Sequence, residues 1–301
     1  MALPMYNIRV MKRIVFPFVI ALACSGQEPV RPDWQDVSSW VYQLQPSASQ
    51  SREDFISDIA ETGFNLAVID YSYDGTADEE FTPDEIDEIK SSGKFALCYI
   101  SIGEAEDYRW YWDPSWDSAP PDWLGPENPE WPGNYLVRYW DPGWQAIVFQ
   151  YLGKLRSQGF DGFYLDKVDS YEDFQDSLPW AEDSMKALVR AIADSFPGFL
   201  VVPQNASDLL RDPAYLSVID GTGNEDVYYM DDDPQDSSET EHVLSNLRVA
   251  KAGAKLVLIV DYCREPEHVE DLYQRARGED FVPYSTVRDL DSLVINPQDP
   301  Q

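Results

Sequence analysis

The sequence predicts an α/β protein, built from short buried strands that alternate with amphipathic helices. Eight short apolar runs are separated by stretches with helical spacing, which is typical of parallel strands joined by crossover helices. Eight such units in about 277 residues match a single (β/α)8 TIM-type barrel, whose usual size is about 250 residues. An open doubly wound sheet is the second choice, because no Gly-x-Gly-x-x-Gly or Walker-type loop follows any strand.

The predicted strands are mostly apolar, and each ends where polar residues resume. They span residues 40–44, 65–71, 95–102, 162–165, 199–203, 216–219, 255–260 and 283–286. Apolar residues at helical spacing predict two long helices, from Trp144 to Leu155 after the Asp141-Pro142 cap, and from Met185 to Phe196. Shorter helices are predicted over residues 52–61, 83–91, 239–252 and 266–277.

A long aromatic-rich loop is predicted after the third strand, between Glu104 and Tyr139. This loop is far longer than ordinary connections in such a fold. Two interpretations of it are equally open. The rings could form a small core that orders the loop, or their faces could stack on sugar rings along an extended groove. The loop tryptophans are Trp110, Trp112, Trp116, Trp123 and Trp131.

The N-terminus has the layout of a secretory signal. Basic residues precede an apolar run over 14–23, and polar residues follow Cys24. The run is too short for a membrane-spanning helix, which needs about 20 apolar residues. We therefore expect residues 1–24 to be a signal peptide, residues 25–33 a short linker and residues 34–301 a single domain.

The residues around Cys24 indicate how this signal is processed. Ala21-Leu22-Ala23-Cys24 resembles a bacterial lipoprotein cleavage box, which would anchor the secreted protein to the bacterial cell envelope by a lipid on Cys24. Ordinary cleavage after Ala23 is the alternative. We expect contact with a membrane only through that anchor, and we expect the protein to be a monomer.

The charge of the chain is strongly negative. Fifty-five acidic residues stand against 22 basic ones, which gives a formal net charge of −33. Such a surface repels phosphate backbones, so we expect no nucleic-acid partner. The acidity fits either a solvated, salt-tolerant surface or attraction for a cationic ligand.

Few residues are suited to metal or cysteine chemistry. Apart from Cys24, the chain has Cys98 and Cys263, too few for a disulfide framework, and two histidines, too few for a typical zinc site or catalytic triad. The acidic run 231–233 lacks the spacing of a calcium-binding loop and is interpreted as a solvated turn. We expect no metal and no cofactor, so any catalysis must use carboxylates.

Polar side chains follow most of the predicted strands at their carboxyl ends. Asp166, Lys167 and Asp169 come after the run Gly-Phe-Tyr-Leu. In a barrel of this type these ends form the active-site face. Two carboxylates that face each other there can cleave a glycosidic bond, one protonating the leaving oxygen and the other attacking carbon or activating water. The other polar residues at such ends include Asp70, Tyr71, Glu104, Asn205, Glu225 and Asp261.

Five ordered blocks of the chain resemble the endo-α-1,4-polygalactosaminidase family, which is glycoside hydrolase family 114. The blocks are VIDYSYDG, CYISIGEAEDYR, GFDGFYLDKVDSY, VPQNA and GTGNEDVYY, and the resemblance extends from about Trp34 to about Leu290. It implies a (β/α)8 barrel that hydrolyses α-1,4-linked galactosamine polymers internally. It also implies that Asp166 is the nucleophile and Glu225 the general acid/base, and we expect retention of configuration.

Further residues are expected to contact the substrate or to position the catalytic pair. A polysaccharide that is partly deacetylated carries ammonium groups, which would suit an acidic groove. Two alternatives stay open: a surface lipoprotein that binds polysaccharide without cleaving it, and a glycosidase for a different polysaccharide. The expected substrate-binding residues are Asp70, Tyr71, Tyr99, Glu104, Lys167, Asp169, Asn205 and Asp261.

Overall fold

A computed structural model describes residues 31–300 of the chain. The predicted signal peptide, the lipidation at Cys24 and most of the predicted linker lie outside the described residues. Arg31, at the end of that linker, packs against the domain, with its guanidinium 3.6 Å from the centre of the Phe95 ring and 2.9 Å from Asp161 Oδ2. Within residues 31–300, no helix is long and apolar enough to cross a membrane.

Eight parallel strands form the centre of the molecule and confirm the predicted α/β fold. The first five are hydrogen-bonded in sequence order, and the last three form a second parallel group. We number them first to eighth along the chain: Trp40–Tyr42, Leu66–Ile69, Phe95–Ser101, Gly162–Asp166, Leu200–Pro203, Gly221–Glu225, Leu256–Asp261 and Val282–Ser285.

The two groups of strands meet along two seams. At one seam, Gln204 forms a parallel bridge with Gly223, and Asn205 N donates to Gly223 O at 2.8 Å. At the other, the Trp40 indole donates to Val282 O at 3.1 Å. The strand order is therefore that of the predicted (β/α)8 barrel.

Helices connect most of the strands and begin at the sequence signals that predict them. Ser51 and Thr82 each form a capping box with the acidic residue three positions later, and Pro142 occupies the first turn of the longest helix within residues 31–300. The long helices are Arg52–Glu61, Pro83–Ser91, Pro142–Gln158, Ala181–Ser195, Ser237–Ala252 and Pro266–Gly278.

Two connections differ from the regular alternation of strand and helix. After the fifth strand the chain forms a 3-10 helix, Ser207–Arg211, and a single helical turn, Pro213–Leu216. The break lies at Asp212, which is extended because a residue before proline disfavours the helical region. After the eighth strand, the described residues up to 300 contain no helix.

The position predicted for the sixth strand is wrong. Residues 216–219 are mostly apolar, yet they form the end of a helical turn and the turn after it, and the strand is Gly221–Glu225. This strand contains two glycines because the space beside them is already filled. A Cβ on Gly223 would lie 1.9 Å from the Tyr164 hydroxyl, and one on Gly221 would lie 2.8 Å from Leu256 O.

We expect Gly223→Ala to lower the free energy of unfolding by about 3 kcal/mol, because the methyl group overfills the interior beside Tyr164. Gly153→Ala is the control: it lies in a helix, its Cβ would meet nothing within 4 Å, and the change should raise stability by up to about 1 kcal/mol. Urea unfolding of both variants measures the difference. Equal stability of the two variants would contradict the tight packing at Gly223.

The long loop after the third strand forms a small antiparallel sheet of its own, with the strands Glu104–Glu106, Leu124–Glu127 and Asn134–Val137. Its rings pack mainly on one another and on the following helix. Trp116 lies 5.1 Å from Trp112 and 5.0 Å from Trp123, measured between ring centres, and Trp123 lies 5.2 Å from Trp144. The interpretation as a local aromatic core therefore holds for most of the loop.

Candidate active site

A cavity of about 410 Å³ lies at the carboxyl ends of the parallel strands. This is the face at which barrels of this type carry their active sites. The lining is strongly acidic, with eight acidic residues against three basic ones. The acidic residues are Asp70, Asp74, Glu104, Glu106, Asp166, Asp169, Glu225 and Asp289, and the basic ones are Arg109, Lys167 and Arg288.

Asp166 and Glu225 lie side by side in this cavity, at the ends of the fourth and sixth strands. The side-chain amide of Gln204, which follows the fifth strand, bridges them. Its Nε2 lies 3.1 Å from Asp166 Oδ1 and 2.7 Å from Glu225 Oε2. Because both bonds end on one nitrogen, the two carboxylate oxygens are closer together than the sum of these distances.

Each carboxylate also accepts a hydrogen bond from a tyrosine. The Tyr99 hydroxyl donates to Asp166 Oδ2 at 2.8 Å, and the Tyr262 hydroxyl donates to Glu225 Oε1. Asn205 Nδ2 donates to Glu225 Oε2 at 3.2 Å, while Asn205 Oδ1 accepts from the backbone N–H of Glu225 at 3.1 Å. These bonds fix the orientation of both carboxylates before a substrate enters.

Three consecutive strand ends of the site are followed by a residue in the left-handed region. Lys167 follows Asp166 with φ of 59°, Asn205 follows Gln204 with φ of 60°, and Asp226 follows Glu225 with φ of 52°. None is glycine. The conformation costs Lys167 about 1–2 kcal/mol, and it costs Asn205 and Asp226 less because short polar side chains tolerate it. Strain of this kind is concentrated at functional sites, where surrounding contacts hold it in place.

Burial shifts the protonation of the pair. Desolvation raises the pKa of Asp166 to about 6, and the negative charge of Asp169 adds to the shift. Desolvation also raises the pKa of Glu225 to about 7, with a further contribution from the charge of Asp166. The two carboxyl groups therefore titrate as a pair that shares one proton in this pH range, and the charge of Asp166 favours its location on Glu225.

Lys167 and Asp169 add charge beside the pair. Lys167 Nζ lies 3.0 Å from Glu104 Oε1, and Asn128 Nδ2 donates to the same oxygen at 2.9 Å. Burial lowers the pKa of Lys167, but the charges of Glu104 and Asp169 outweigh it and the net shift is upward. Burial raises the pKa of Asp169 to about 6, and its Oδ1 is buried without a hydrogen-bond partner among residues 31–300.

Asp70 lines the cavity as part of a buried ion cluster. The Arg109 guanidinium lies 2.7 Å from Asp70 Oδ2 and 2.7 Å from Glu106 Oε2, and both the arginine and the glutamate are 2% exposed. Burial raises the pKa of Asp70, and the Arg109 charge opposes the shift. The cluster ties the end of the second strand to the long loop.

Two of the expected substrate-binding residues do not line the cavity. Tyr71 is fully buried, and its hydroxyl donates to Gly75 O at 3.1 Å. Asp261 is also fully buried. Its two oxygens accept hydrogen bonds from the backbone N–H groups of Val227, Tyr228 and Tyr229 at 2.8–3.0 Å. In this conformation Asp261 and Tyr71 do not face the cavity, so their burial favours the expected supporting role over direct contact with substrate.

The structure brings the other expected residues together and adds some that sequence reasoning missed. Tyr99, Glu104, Lys167, Asp169 and Asn205 all line the cavity. Position at or just after a strand end could have identified Gln204, Tyr262 and Tyr42. It does not single out Tyr108 and Arg109, which lie in the long loop, or Arg288, which lies in the segment after the eighth strand.

A cavity at the strand ends of this fold, with two bridged carboxylates of unequal proton affinity, is the arrangement of a glycoside hydrolase. Comparison with known families agrees with this class. The model of glycoside-hydrolase family GH114 matches residues 22–300, and the chain belongs to that family. Family membership supports an enzyme over the alternative of a polysaccharide-binding lipoprotein without activity.

Uncharacterized proteins of two microorganisms are similar to this chain in sequence. A protein of Thermotoga maritima, described as uncharacterized, is 34% identical over 307 residues, which cover 95% of this chain and 93% of that protein. An uncharacterized protein of Methanocaldococcus jannaschii is 38% identical over 274 residues, covering 84% of this chain and 77% of its own length.

Two solved structures share the fold at low sequence identity. The glycoside hydrolase domain of PelA from Pseudomonas aeruginosa has a TM-score of 0.67 and 17% identity, covering 86% of this chain and 98% of that one. Ega3 of Aspergillus fumigatus, solved in complex with galactosamine, has a TM-score of 0.64 and 18% identity, covering 89% of this chain and 99% of its own. At these identities the likeness establishes the fold.

Proposed function

We propose that this glycoside hydrolase cleaves α-1,4-linked galactosamine-containing polysaccharide internally and with retention of configuration. The observation that carries the proposal is the acidic cavity in which Gln204 holds Asp166 and Glu225 close together. Eight acidic residues against three basic ones favour a cationic polymer, since ammonium groups form charge-assisted bonds with carboxylates. The galactosamine bound to Ega3 is consistent with this class of substrate.

The spacing of the pair supports retention. Inverting enzymes hold their carboxylates roughly 6.5–9.5 Å apart to leave room for a water, while retaining enzymes hold them about 5–5.5 Å apart. The bridging bonds of 3.1 and 2.7 Å to Gln204 Nε2 hold the nearest oxygens of the pair close together, which favours the shorter spacing of retaining enzymes.

In the proposed mechanism, Asp166 attacks the anomeric carbon while Glu225 gives its proton to the leaving glycosidic oxygen. The first product leaves with a free hydroxyl, and a glycosyl ester joins the remaining sugar to Asp166. Glu225, now ionised, takes a proton from a water whose oxygen attacks the anomeric carbon. The ester bond breaks, and both carboxyl groups return to their starting protonation.

The pH dependence of the reaction follows from these roles. Below about pH 6 Asp166 becomes protonated and loses its nucleophilicity, and above about pH 7 Glu225 loses the proton it must donate. We expect kcat/KM to follow a narrow bell with its maximum between these values. Initial rates across pH 4–9 measure the profile. A plateau that extends unchanged above pH 8 would contradict Glu225 as the acid.

The substrate and the stereochemistry can be tested together. The purified domain is incubated with α-1,4-galactosaminogalactan, chitosan, pectin and starch, and reducing ends and product sizes are measured. Short galactosamine oligomers are expected, and proton NMR of the first products should show the α-anomer before mutarotation. Early β-anomer would disprove retention, and cleavage of another polymer alone would disprove the substrate.

We also propose that the protein is exported and lipid-anchored at Cys24. The supporting observation is the sequence pattern of residues 1–24, which lie outside the described residues. In bacteria expressing the full chain, labelled fatty acid should be incorporated into the native protein and not into Cys24→Ser. Equal labelling of both proteins would rule out this anchor. A native protein that is secreted without incorporating the labelled fatty acid would indicate ordinary cleavage.

A further inference from the structure

Some large apolar side chains are exposed although burial would be favourable. In the described part of the chain, two of the most exposed rings line the catalytic cavity: Tyr108 is 43% exposed and Trp131 is 45% exposed. Exposed rings that share a site are characteristic of ligand contact, whereas single ones scattered over a surface need no explanation. Their position at the cavity therefore points to a bound partner.

Trp131 differs from the other tryptophans of the long loop. Trp110, Trp112, Trp116 and Trp123 each contact another aromatic ring at a centre-to-centre distance of 4.9–6.1 Å. Among residues 31–300, Trp131 has no such ring contact, and 45% of its surface is exposed. The exposed part of its indole is thus available to a ligand.

The hairpin that carries Trp131 is held in a fixed position. Trp131 O accepts from Asn134 N at 3.1 Å in a tight turn between the strands Leu124–Glu127 and Asn134–Val137. Asn128, in the same hairpin, donates to Glu104 at 2.9 Å, and Glu104 pairs with Lys167 beside Asp166. Polar contacts therefore link this hairpin to Lys167, the residue that follows Asp166.

Tyr108 is held in place as well. Its hydroxyl donates to Glu106 Oε1 at 2.6 Å, and the Arg109 guanidinium lies 4.9 Å from its ring centre. Asp74 and Gly75 line the same cavity. A Cβ added to Gly75 would lie 3.2 Å from the Tyr108 ring, so Asp74 is near that ring as well. The surroundings combine a rigid aromatic surface with carboxylates.

We infer that Trp131 and Tyr108 form an outer sugar subsite, which stacks on one pyranose ring of the polysaccharide beyond the two that flank the cleaved bond. This inference rests on the proposed function. The indole offers an apolar face to the C–H face of the sugar, and the neighbouring carboxylates attract an ammonium group on it. The subsite strengthens binding of long chains and takes no part in bond cleavage.

The test compares Trp131→Ala with Trp180→Ala, a matched control because Trp180 is also 45% exposed but does not line the cavity. Trp131→Ala should raise KM for the polymer roughly tenfold, which is the size of a lost ring contact. Its kcat for a small aryl α-galactosaminide should stay unchanged. Trp131→Phe should restore most of the affinity, and Trp180→Ala should match the unaltered protein.

Different results separate this inference from the proposed function. If galactosaminogalactan is cleaved and Trp131→Ala has an unchanged KM, the subsite is disproved while the proposed function stands. If the unaltered protein cleaves none of the polymers, the proposed function fails. Affinity electrophoresis in gels containing each polymer then tests whether the subsite binds polysaccharide. Equal retardation of Trp131→Ala and Trp180→Ala in every gel overturns the subsite. Weaker retardation of Trp131→Ala supports it.

Discussion

Asp166→Asn and Glu225→Gln are each expected to lower kcat/KM on the natural polymer by roughly 10³-fold or more, while the fold is retained. The amide of Asp166→Asn cannot form the glycosyl ester, and the amide of Glu225→Gln cannot donate the proton. Asp183→Asn is the control, because its side chain is 80% exposed and lies on a helix. Near-normal activity in either site variant would refute the assignment.

Azide distinguishes the roles of the two residues. With Asp166→Ala, azide can replace the missing nucleophile directly, so the glycosyl azide formed from an activated α-glycoside should have the β-configuration. With Glu225→Ala, the glycosyl ester still forms, and azide attack on it should give the α-azide. NMR of the two products measures this, and the opposite pattern would exchange the roles of Asp166 and Glu225.

Asp261→Asn is expected to lower the free energy of unfolding by about 3 kcal/mol, because it leaves a buried backbone donor without an acceptor. The carboxylate accepts from Val227, Tyr228 and Tyr229, and an amide offers only one oxygen to these three N–H groups. The segment they belong to follows Glu225, so activity should fall as well. Urea unfolding and polymer cleavage measure the two effects.

The control for this change is Asp271→Asn in the neighbouring helix. Asp271 is 42% exposed and accepts from the Tyr229 hydroxyl at 2.8 Å, so it contacts the same segment from the surface. An exposed contact of this kind should cost less than about 1 kcal/mol. If Asp261→Asn proved no more destabilising than Asp271→Asn, the buried carboxylate would not be needed to hold the segment.

Strand positions could be predicted where a strand buries large apolar residues. The third strand, Phe95–Ser101, is apolar up to its last residue, and its predicted end at residue 102 lies one residue beyond the observed end. The sixth strand could not be predicted, because its glycines are required by Tyr164 and Leu256, residues far away in sequence. Packing between distant segments therefore overrides local strand propensity.

The candidate site could be predicted in outline for a similar reason. Parallel strands bring their carboxyl ends together, so Asp166, Glu225 and Asn205 were expected near one another. The sequence does not reveal which of two adjacent residues turns toward the cavity. Tyr262 reaches Glu225, whereas Asp261, one position earlier, turns to the backbone on the other side.

The left-handed residues beside the catalytic pair bear on any attempt to engineer a more heat-resistant form. Glycine adopts this conformation without strain, so glycine at 167, 205 or 226 looks like a simple stabilising change. Each native side chain there also makes a contact of the site: Lys167 pairs with Glu104, Asn205 binds Glu225, and Asp226 pairs with Arg288. A gain in thermal stability at these positions would therefore lower the catalytic activity. Stabilising changes are better sought elsewhere in the chain.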